Sequence, residues 1–385
     1  MDGCRWIVRW TALSILLAVP GCAGRPSLHP QLGRSVWVDR WDWSSAEDIE
    51  RAIEQCHRFG FDTVIFQARG NGTVFYPSSI EVWSEQLDHR DPGFDPLATA
   101  VRAAHARGMK LCAWVNMMPG WVGTEDPGDA RQLWHSRQEW FLRDRKGQPP
   151  SRKGGKYLGL NPCLPEVRRY LTAICREVVT RYEVDGLQLD YIRFPEPEPV
   201  AVGPLGTDSA TMALFAEATG RRPMDAAAVQ TWQRECVTRL VADVRAATQG
   251  GGKKVPLSVA VFADIEVARN KVLQDWPEWC RRGLVDAVVP MNYTADDGLS
   301  ASRIAGCVGA AGSVPVIAGI GLYKCTSAQQ VKAQIDIAIE AGVRGVGAFN
   351  YRSLFGATKD VPASVQQELQ RGVADWLKST PSRRW

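Results

Sequence analysis

The sequence predicts an α/β protein whose folded domain, residues 35–378, is a single (β/α)8 TIM barrel with long loops after strands 3 and 4. Eight short apolar segments predict strands, and longer segments with helical periodicity lie between them. Most of the apolar segments are near-continuous in Val, Ile, Leu and Ala, which is typical of strands buried on both faces of a parallel sheet. Regular alternation of such strands with helices predicts a closed parallel barrel.

The predicted strands run in order from residue 35 to residue 351. They are 35–41, 63–69, 110–116, 186–191, 255–262, 285–293, 314–321 and 345–351. The predicted helices include 46–58, 95–107, 165–181, 225–248, 327–341 and 363–378. Several helical segments are followed by a glycine that we expect in the left-handed conformation that ends a helix: Gly60, Gly108, Gly283 and Gly342. An open doubly wound sheet is the alternative, but no glycine-rich phosphate-binding motif follows any strand.

Two long segments, 117–160 and 195–224, interrupt the repeat after the third and fourth strands. Loops of this length in a compact domain are more often functional than not. We therefore expect both segments to contribute to a binding site.

The first residues of the chain read as an export signal. Residues 1–21 combine Arg5 and Arg9 with an apolar run, and the segment ends in Val-Pro-Gly before Cys22. This ending resembles a lipobox, so we expect lipidation of Cys22, a tether over 22–34, and an exported protein anchored in the bacterial cell envelope. In a Gram-negative host the anchor would lie in the outer membrane or face the periplasm. A plain secretory peptide or an uncleaved N-terminal anchor is the alternative, and both would still export the protein.

Composition excludes several classes of partner. The chain has 385 residues and a net charge of +4, and no run of Lys and Arg exceeds two residues, so nucleic acid is not an expected partner. None of the five histidines falls at a predicted strand end, and the cysteines lack metal-ligand spacing, so we expect no metal and no cofactor. The spacing of the cysteines does not decide whether or how they pair in disulfides. We expect a monomer.

Polar side chains collect where the predicted strands end, which is where barrels of this class build their sites. They are Asp39, Gln67, Arg69, Asn116, Asp190, Asp264, Glu266, Asn292, Tyr293, Tyr323, Lys324 and Asn350. Such a ring suits a substrate rich in hydroxyl groups. The fifteen tryptophans add surfaces on which the apolar face of a sugar could stack, although most should fill the core.

Asp190 is the first candidate for chemistry. Hydrolysis of a glycosidic bond needs two carboxyl groups. Asp190 directly follows the buried segment Leu-Gln-Leu, where a carboxylate costs free energy because it loses contact with water. Asp185 lies at the opposite end of that strand and is expected to be structural. For the partner we expect Glu266 or Asp264, with two other carboxyl groups as alternatives: Asp39 and Asp296.

The stretch LGLNPCLPEVRRYLTAICREVVTRYEVDGLQLDYIRFP, residues 158–195, resembles the glycosyl-hydrolase-like family ten domain of bacterial envelope proteins and lipoproteins. The resemblance continues through TVIFQARGNGTVFYPSS, LCAWVNMMPG, GIGLYK and GVGAFNY, and so covers essentially residues 34–375. It implies a barrel glycosidase, and a characterised branch of the family acts on peptidoglycan glycan strands stripped of their stem peptides.

By match to the family pattern, the resemblance implies that Asp190 is catalytic. It implies substrate-pocket roles for a further set, to which we add Arg193 of the same stretch: Gln67, Arg69, Asn116, Asn161, Asn292, Tyr293 and Lys324. Two features depart from the family. Many relatives have two adjacent Asp where this chain has Asp190-Tyr191, and the segment VFADIEVAR differs from its glycine-containing counterparts.

The sequence therefore predicts a cell-envelope glycoside hydrolase that acts on peptidoglycan glycan strands or a related polysaccharide. A carbohydrate-binding barrel without turnover is the alternative. A lyase or aldolase would use a lysine inside a strand to form a Schiff base, and no predicted strand has a lysine facing its C-terminal end.

Overall fold

A computed structural model describes residues 33–152, 156–196, 204–222, 225–250, 253–356 and 361–379. The predicted signal peptide, Cys22 and the tether up to residue 32 lie outside the described residues. The strands are β1 (Gly33–Val38), β2 (Thr63–Arg69), β3 (Lys110–Asn116), β4 (Pro119–Val122), β5 (Tyr157–Gly159), β6 (Gly186–Asp190), β7 (Leu257–Phe262), β8 (Ala287–Asn292), β9 (Ile317–Gly321) and β10 (Gly345–Phe349).

Eight of these strands form the predicted closed parallel barrel, in the order β1-β10-β9-β8-β7-β6-β3-β2. The helices are α1 (Ala46–Phe59), α2 (Pro96–His105), α3 (Leu133–Ser136), α4 (Pro165–Arg181), α5 (Ser209–Thr219), α6 (Ala226–Gln249), α7 (Ile265–Asn270), α8 (Trp276–Arg281), α9 (Asp297–Ala311), α10 (Ala328–Glu340), α11 (Tyr351–Phe355) and α12 (Ala363–Ser379). The fold class predicted from the sequence is confirmed.

Several strand bounds differ from the predicted ones for local reasons. β1 begins at Gly33, so two residues assigned to the tether pair with β10 in the barrel. β1 ends at Val38 because Asp42 closes a turn: its amide bonds the carbonyl of Asp39, and its carboxylate accepts the amide of Asp39 at 2.8 Å. β7 and β9 begin later than predicted, after Pro256 and Pro315, since proline has no N–H to donate to a sheet.

The barrel interior is packed rather than open. Trp37, Ile65, Trp114 and Val289 form a cluster inside it. The indole N–H of Trp37 donates to the side-chain oxygen of buried Gln188 at 2.7 Å, so this polar group is satisfied in the apolar interior. A second, larger core lies between the strands and the surrounding helices.

Helix α1 illustrates how the sequence fixes the outer layer. Ser45 accepts a hydrogen bond from the amide of Asp48 and caps the N-terminus, while one apolar face is buried against the barrel. The helix ends at Gly60, whose φ of 106° is open to glycine and costly for other residues. The left-handed conformation predicted for Gly108, Gly283 and Gly342 is confirmed as well.

Both long segments carry structure of their own. The segment after β3 holds the antiparallel pair β4–β5 and the short helix α3, and the segment after β6 holds α5. The eight cysteines within the described ranges are free thiols. No helix in those ranges combines the length and the apolar character needed to cross a bilayer.

Candidate active site

A cavity of about 550 Å³ opens at the C-terminal ends of the barrel strands. Eight of the predicted site residues line it: Asp39, Gln67, Asn116, Asp190, Arg193, Asp264, Tyr293 and Tyr323. A groove of about 320 Å³ adjoins it and shares Tyr157, Tyr191, Arg193 and Glu196 with it. The two together form a cleft, with polar side chains at its floor and aromatic rings on its walls.

Asp190 ends β6 and is 6% exposed. Its Oδ1 accepts the backbone amide of Tyr191 at 2.6 Å and lies 3.4 Å from Nη1 of Arg193. Burial raises the pKa of Asp190 above that of an ordinary Asp, and the charge of Arg193 opposes this rise. Asp190 is therefore a carboxyl group that keeps its proton to a higher pH than an exposed one.

The turn after Asp190 is held by side chains. Tyr191 has a φ of 49°, an uncommon conformation for a residue with a side chain, and Asp190 accepts its amide there. The Arg193 guanidinium lies 4.2 Å from the centre of the Tyr191 ring and 4.9 Å from that of Phe262. Both rings and Asp190 thus fix the Arg193 guanidinium in one position.

Three further carboxylates line the cavity: Asp39, Glu196 and Asp264. Both oxygens of Asp39 are engaged, by the amide of Trp41 and the side-chain amide of Asn350, each at 2.8 Å. Asp264 caps α7 through Oδ1, which accepts the amide of Val267 at 3.0 Å. Within the described residues, Oδ2 of Asp264 accepts no hydrogen bond, so one of its oxygens is available to a substrate.

Aromatic side chains form much of the wall. The Tyr293 ring stacks on Phe349 at 5.1 Å between centroids and meets Tyr323 edge-on at 5.9 Å. Trp41 lies at the rim and is 58% exposed, whereas Trp37 and Trp114 are buried in the barrel. The Arg40 guanidinium lies 5.4 Å from the Trp41 ring. Trp41 therefore presents an apolar surface to solvent at the edge of the cavity.

Arg69 was expected to contact substrate, but it does not line the cavity. Its side chain is fully buried and donates to Glu81 at 2.6 Å and to the carbonyl of Met117 at 3.0 Å. Tyr170 donates to the same carboxylate at 2.6 Å. Arg69 ties the end of β2 to the chain after β3, because a buried guanidinium needs a carboxylate and several acceptors.

Three asparagines predicted in the pocket serve the framework instead. Asn292 donates to the hydroxyl of Ser300 behind β8 at 2.7 Å. Asn161 donates to the Thr211 hydroxyl at 2.8 Å and accepts the amide of a neighbouring residue. Asn350 caps α11 and donates its side-chain amide to Asp39, which lines the cavity. A short polar side chain at a strand end turns as readily to a helix terminus as to a cavity.

Two charged residues also lie outside the cavity lining. Glu266 accepts a hydrogen bond from Asn270 at 2.7 Å on the exposed side of α7, whereas Asp264 lines the cavity together with Asp190. The Lys324 ammonium lies 5.1 Å from the Tyr323 ring, beyond the lining.

The structural role expected for Asp185 is confirmed, since it accepts the amide of Leu111 at 2.8 Å at the far end of the barrel.

Sequence reasoning missed several lining residues, among them Tyr157, Glu196 and Arg303. Tyr157 belongs to β5 in the long segment after β3, and no local pattern relates it to Asp190. Glu196 lies six residues after the end of β6 in a proline-rich stretch, a signal that could have been used. Arg303 lies within α9, well past a strand end.

No group of three potential metal ligands occurs in the described ranges.

A parallel eight-stranded barrel with a cleft at the C-terminal ends of its strands, lined by carboxylates and aromatic rings, is the architecture of many barrel enzymes. This chain belongs to the family described as glycosyl hydrolase-like 10, which matches residues 33–340. The resemblance stated from the sequence is thereby confirmed.

The chain is also similar to curated proteins. Glycosyl hydrolase DigH of Escherichia coli strain K12 is 28% identical over 305 residues, which is 68% of this chain and 65% of DigH. Glycosyl hydrolase YngK of Bacillus subtilis strain 168 is 24% identical over 321 residues, 75% of this chain and 59% of YngK. The chain thus matches less than two thirds of the length of these relatives.

Solved structures share the fold. The catalytic domain of β-amylase from Paenibacillus polymyxa matches with a TM-score of 0.61 at 9% identity, covering 91% of this chain and 99% of that one. α-L-Fucosidase isoenzyme 2 from Paenibacillus thiaminolyticus matches with a TM-score of 0.63 at 16% identity, covering 90% and 49%. Such low identities establish a common barrel only.

Proposed function

We propose that this protein is a glycoside hydrolase that cleaves glycan strands of peptidoglycan or a related polysaccharide in the bacterial cell envelope. The observation that carries the proposal is a cavity lined by both Asp190 and Asp264, two carboxyl groups in different environments. Membership of a glycosyl hydrolase-like family supports the reaction class. The likeness of the sequence to a peptidoglycan-acting branch supports the substrate.

The two carboxyl groups suit different steps. Burial raises the pKa of Asp190, which favours a proton donor to the leaving oxygen. Asp264 has one oxygen fixed by the Val267 amide and the other available, which suits the nucleophile or the base that activates water. Proton transfer from Asp190 breaks the glycosidic bond while Asp264, or water that it deprotonates, attacks the sugar.

The shape of the cleft supports a polymeric substrate. The groove bordered by Pro150 and Leu205 continues from the cavity along the Tyr191–Glu196 segment. A continuous cleft accommodates sugars on more than one side of the cleaved bond. Exposed aromatic rings, Trp41 and Tyr323, supply stacking surfaces in the cavity.

The test compares the purified protein with its Asp190→Asn and Asp264→Asn variants on peptidoglycan glycan freed of stem peptides. Release of new reducing ends, followed by mass spectrometry of the products, measures cleavage. We expect products from the unaltered protein and a loss of at least about 100-fold in each variant. An aryl glycoside of the same sugar, whose leaving group needs no proton, should restore turnover to Asp190→Asn and leave Asp264→Asn inactive.

Unaltered turnover in Asp190→Asn would contradict the assignment of this residue. Glycan binding without products from the unaltered protein would favour a carbohydrate-binding barrel. The exposed Glu266→Gln variant is the matched control, since Glu266 lies outside the cavity and its loss should leave turnover unchanged.

We propose further that the protein is exported and anchored through lipid on Cys22. The support is the sequence of residues 1–22 alone. Labelling of cells with an alkyne fatty acid should tag the native chain and not the Cys22→Ser variant. Equal labelling of both chains, or no labelling of the native chain, would contradict lipid anchoring.

A further inference from the structure

Three guanidinium groups line the cavity, and they differ in what holds them: those of Arg40, Arg193 and Arg303. Arg40 donates to Asn71 at 2.8 Å and to the hydroxyl of Tyr157 at 3.2 Å. Arg193 pairs with Asp190 and lies against two aromatic rings. These two cations have clear partners within the protein.

Arg303 has none in the described part of the chain. It lies on α9 and is half-buried, yet its side chain makes no hydrogen bond there and no carboxylate oxygen lies within 4.0 Å of it. Its Nε is fully enclosed without an acceptor. A substrate cannot reach that enclosed atom, so any contact of Arg303 with substrate is made through its two terminal nitrogens, which bond no acceptor in the described residues.

The position of Arg303 gives that role. It lines the same cavity as Asp264 and Tyr323, and it follows β8, while Trp41 follows β1 with β10 and β9 between them. A sugar stacked on the Trp41 side would therefore face a free guanidinium from another wall. The planar fork of a guanidinium matches a carboxylate through two parallel hydrogen bonds.

We infer that Arg303 recognises a carboxylate on the substrate and so sets the preference of the cleft for acidic over neutral glycans. The inference rests on the proposed glycosidase function, and it assigns a specificity-determining residue to that site. An alternative role for Arg303 is to keep the neighbouring side chains of the cavity wall in position. That role would affect acidic and neutral glycans equally.

The test uses two matched probes: peptide-free peptidoglycan glycan, whose lactyl groups end in carboxylates, and the same strands with those carboxylates reduced to alcohols. Arg303→Met removes the charge and keeps much of the volume, and Arg303→Lys keeps the charge without the fork. We expect Arg303→Met to lower kcat/KM on the acidic strands by about 10- to 100-fold. On the reduced strands we expect less than about a twofold change, and Arg303→Lys should fall between.

Binding separates this inference from the hydrolase proposal. The Kd of each probe is measured by calorimetry for the Asp190→Asn protein with and without Arg303→Met. Tighter binding of the acidic strands that depends on Arg303 supports the inference even where no products form. The absence of products would contradict only the hydrolase proposal. Equal affinity of the Asp190→Asn protein for both probes, or equal losses on both when Arg303→Met is added, overturns the inference. Thermal unfolding of each variant identifies any loss that is due to misfolding.

Discussion

Arg69 stands at the end of β2 with its guanidinium fully enclosed beside Glu81. Removing one partner of such a pair leaves the other charge buried without compensation. We expect Arg69→Met to lower the free energy of unfolding by about 3–5 kcal/mol in urea titrations.

The double variant Arg69→Met/Glu81→Leu is the control, because it removes both charges together. It should regain much of the stability, as apolar groups can replace a buried ion pair at little cost. If Arg69→Met lowers the free energy of unfolding by less than about 1 kcal/mol, the buried pair stabilises the fold no more than an exposed ion pair does.

Trp41 is the residue at the cavity rim whose exposure needs an explanation, since 58% of a large apolar side chain faces solvent. Covering one indole face with a sugar removes roughly 50 Å² of apolar surface, worth about 1 kcal/mol. We expect Trp41→Ala to raise KM for glycan about fivefold with little change in kcat. Trp41→Phe should keep most of the affinity, and an unchanged KM in Trp41→Ala would contradict a stacking role.

At the scale of elements, the turn after β6 joins Asp190 to Arg193 through Tyr191. The Arg193 charge lowers the pKa of Asp190 against the effect of burial. We therefore expect Arg193→Met to raise that pKa further. If Asp190 donates a proton in catalysis, turnover falls as it ionises, so the alkaline limb of the pH–rate profile should move to higher pH.

Arg193→Lys is the matched control for this prediction. It keeps a positive charge near Asp190 and should leave the limb nearer its original place, whereas a loss of activity without any shift in pH would mean that Arg193 only shapes the cleft. The limb is read from kcat/KM on peptide-free glycan between pH 4 and 9.

Barrel elements were predictable from the sequence because each strand is a local apolar run, and the ends of β2 and β3 agree with prediction to the residue. Residues that line the cavity were predictable where they end a strand or directly follow one, as Asp190 and Tyr293 do. Prediction failed where a polar side chain turns to a framework partner, as Arg69 does to Glu81. It failed also where the long segment after β3 brings Tyr157 to the cleft, a contact between positions far apart in the chain.

At the scale of the whole molecule, the barrel gives the cavity its floor and the two long segments extend it. Tyr157 comes from the segment after β3, and Glu196 and Leu205 come from the segment after β6. The same floor could thus serve different substrates through a change in these segments, since they add surface without altering the strands.

Stability of the whole molecule should depend on pH through carboxyl groups that folding buries. Burial, aided by the neighbouring Asp39, raises the pKa of Asp42 to about 7. Burial also raises that of Asp62 to about 6. Between pH 4 and 7 the folded protein therefore holds protons that the unfolded chain releases, and this contribution to stability is lost as the pH rises through the folded pKa values.

We expect the free energy of unfolding to fall from pH 5 to pH 7 by about 1 kcal/mol or more, as measured by urea titration at each pH. Carboxylates whose pKa is lowered, such as Glu278 at about 2, are ionised throughout this range and do not offset the fall. Asp42→Asn should flatten the slope nearest pH 7, and Asp62→Asn the slope nearest pH 6. Asp336→Asn, at a partly exposed position on α10, should leave both slopes as they are. Stability that is constant or rises between pH 5 and 7 would mean that the protein compensates these two buried carboxyl groups more fully than their contacts indicate.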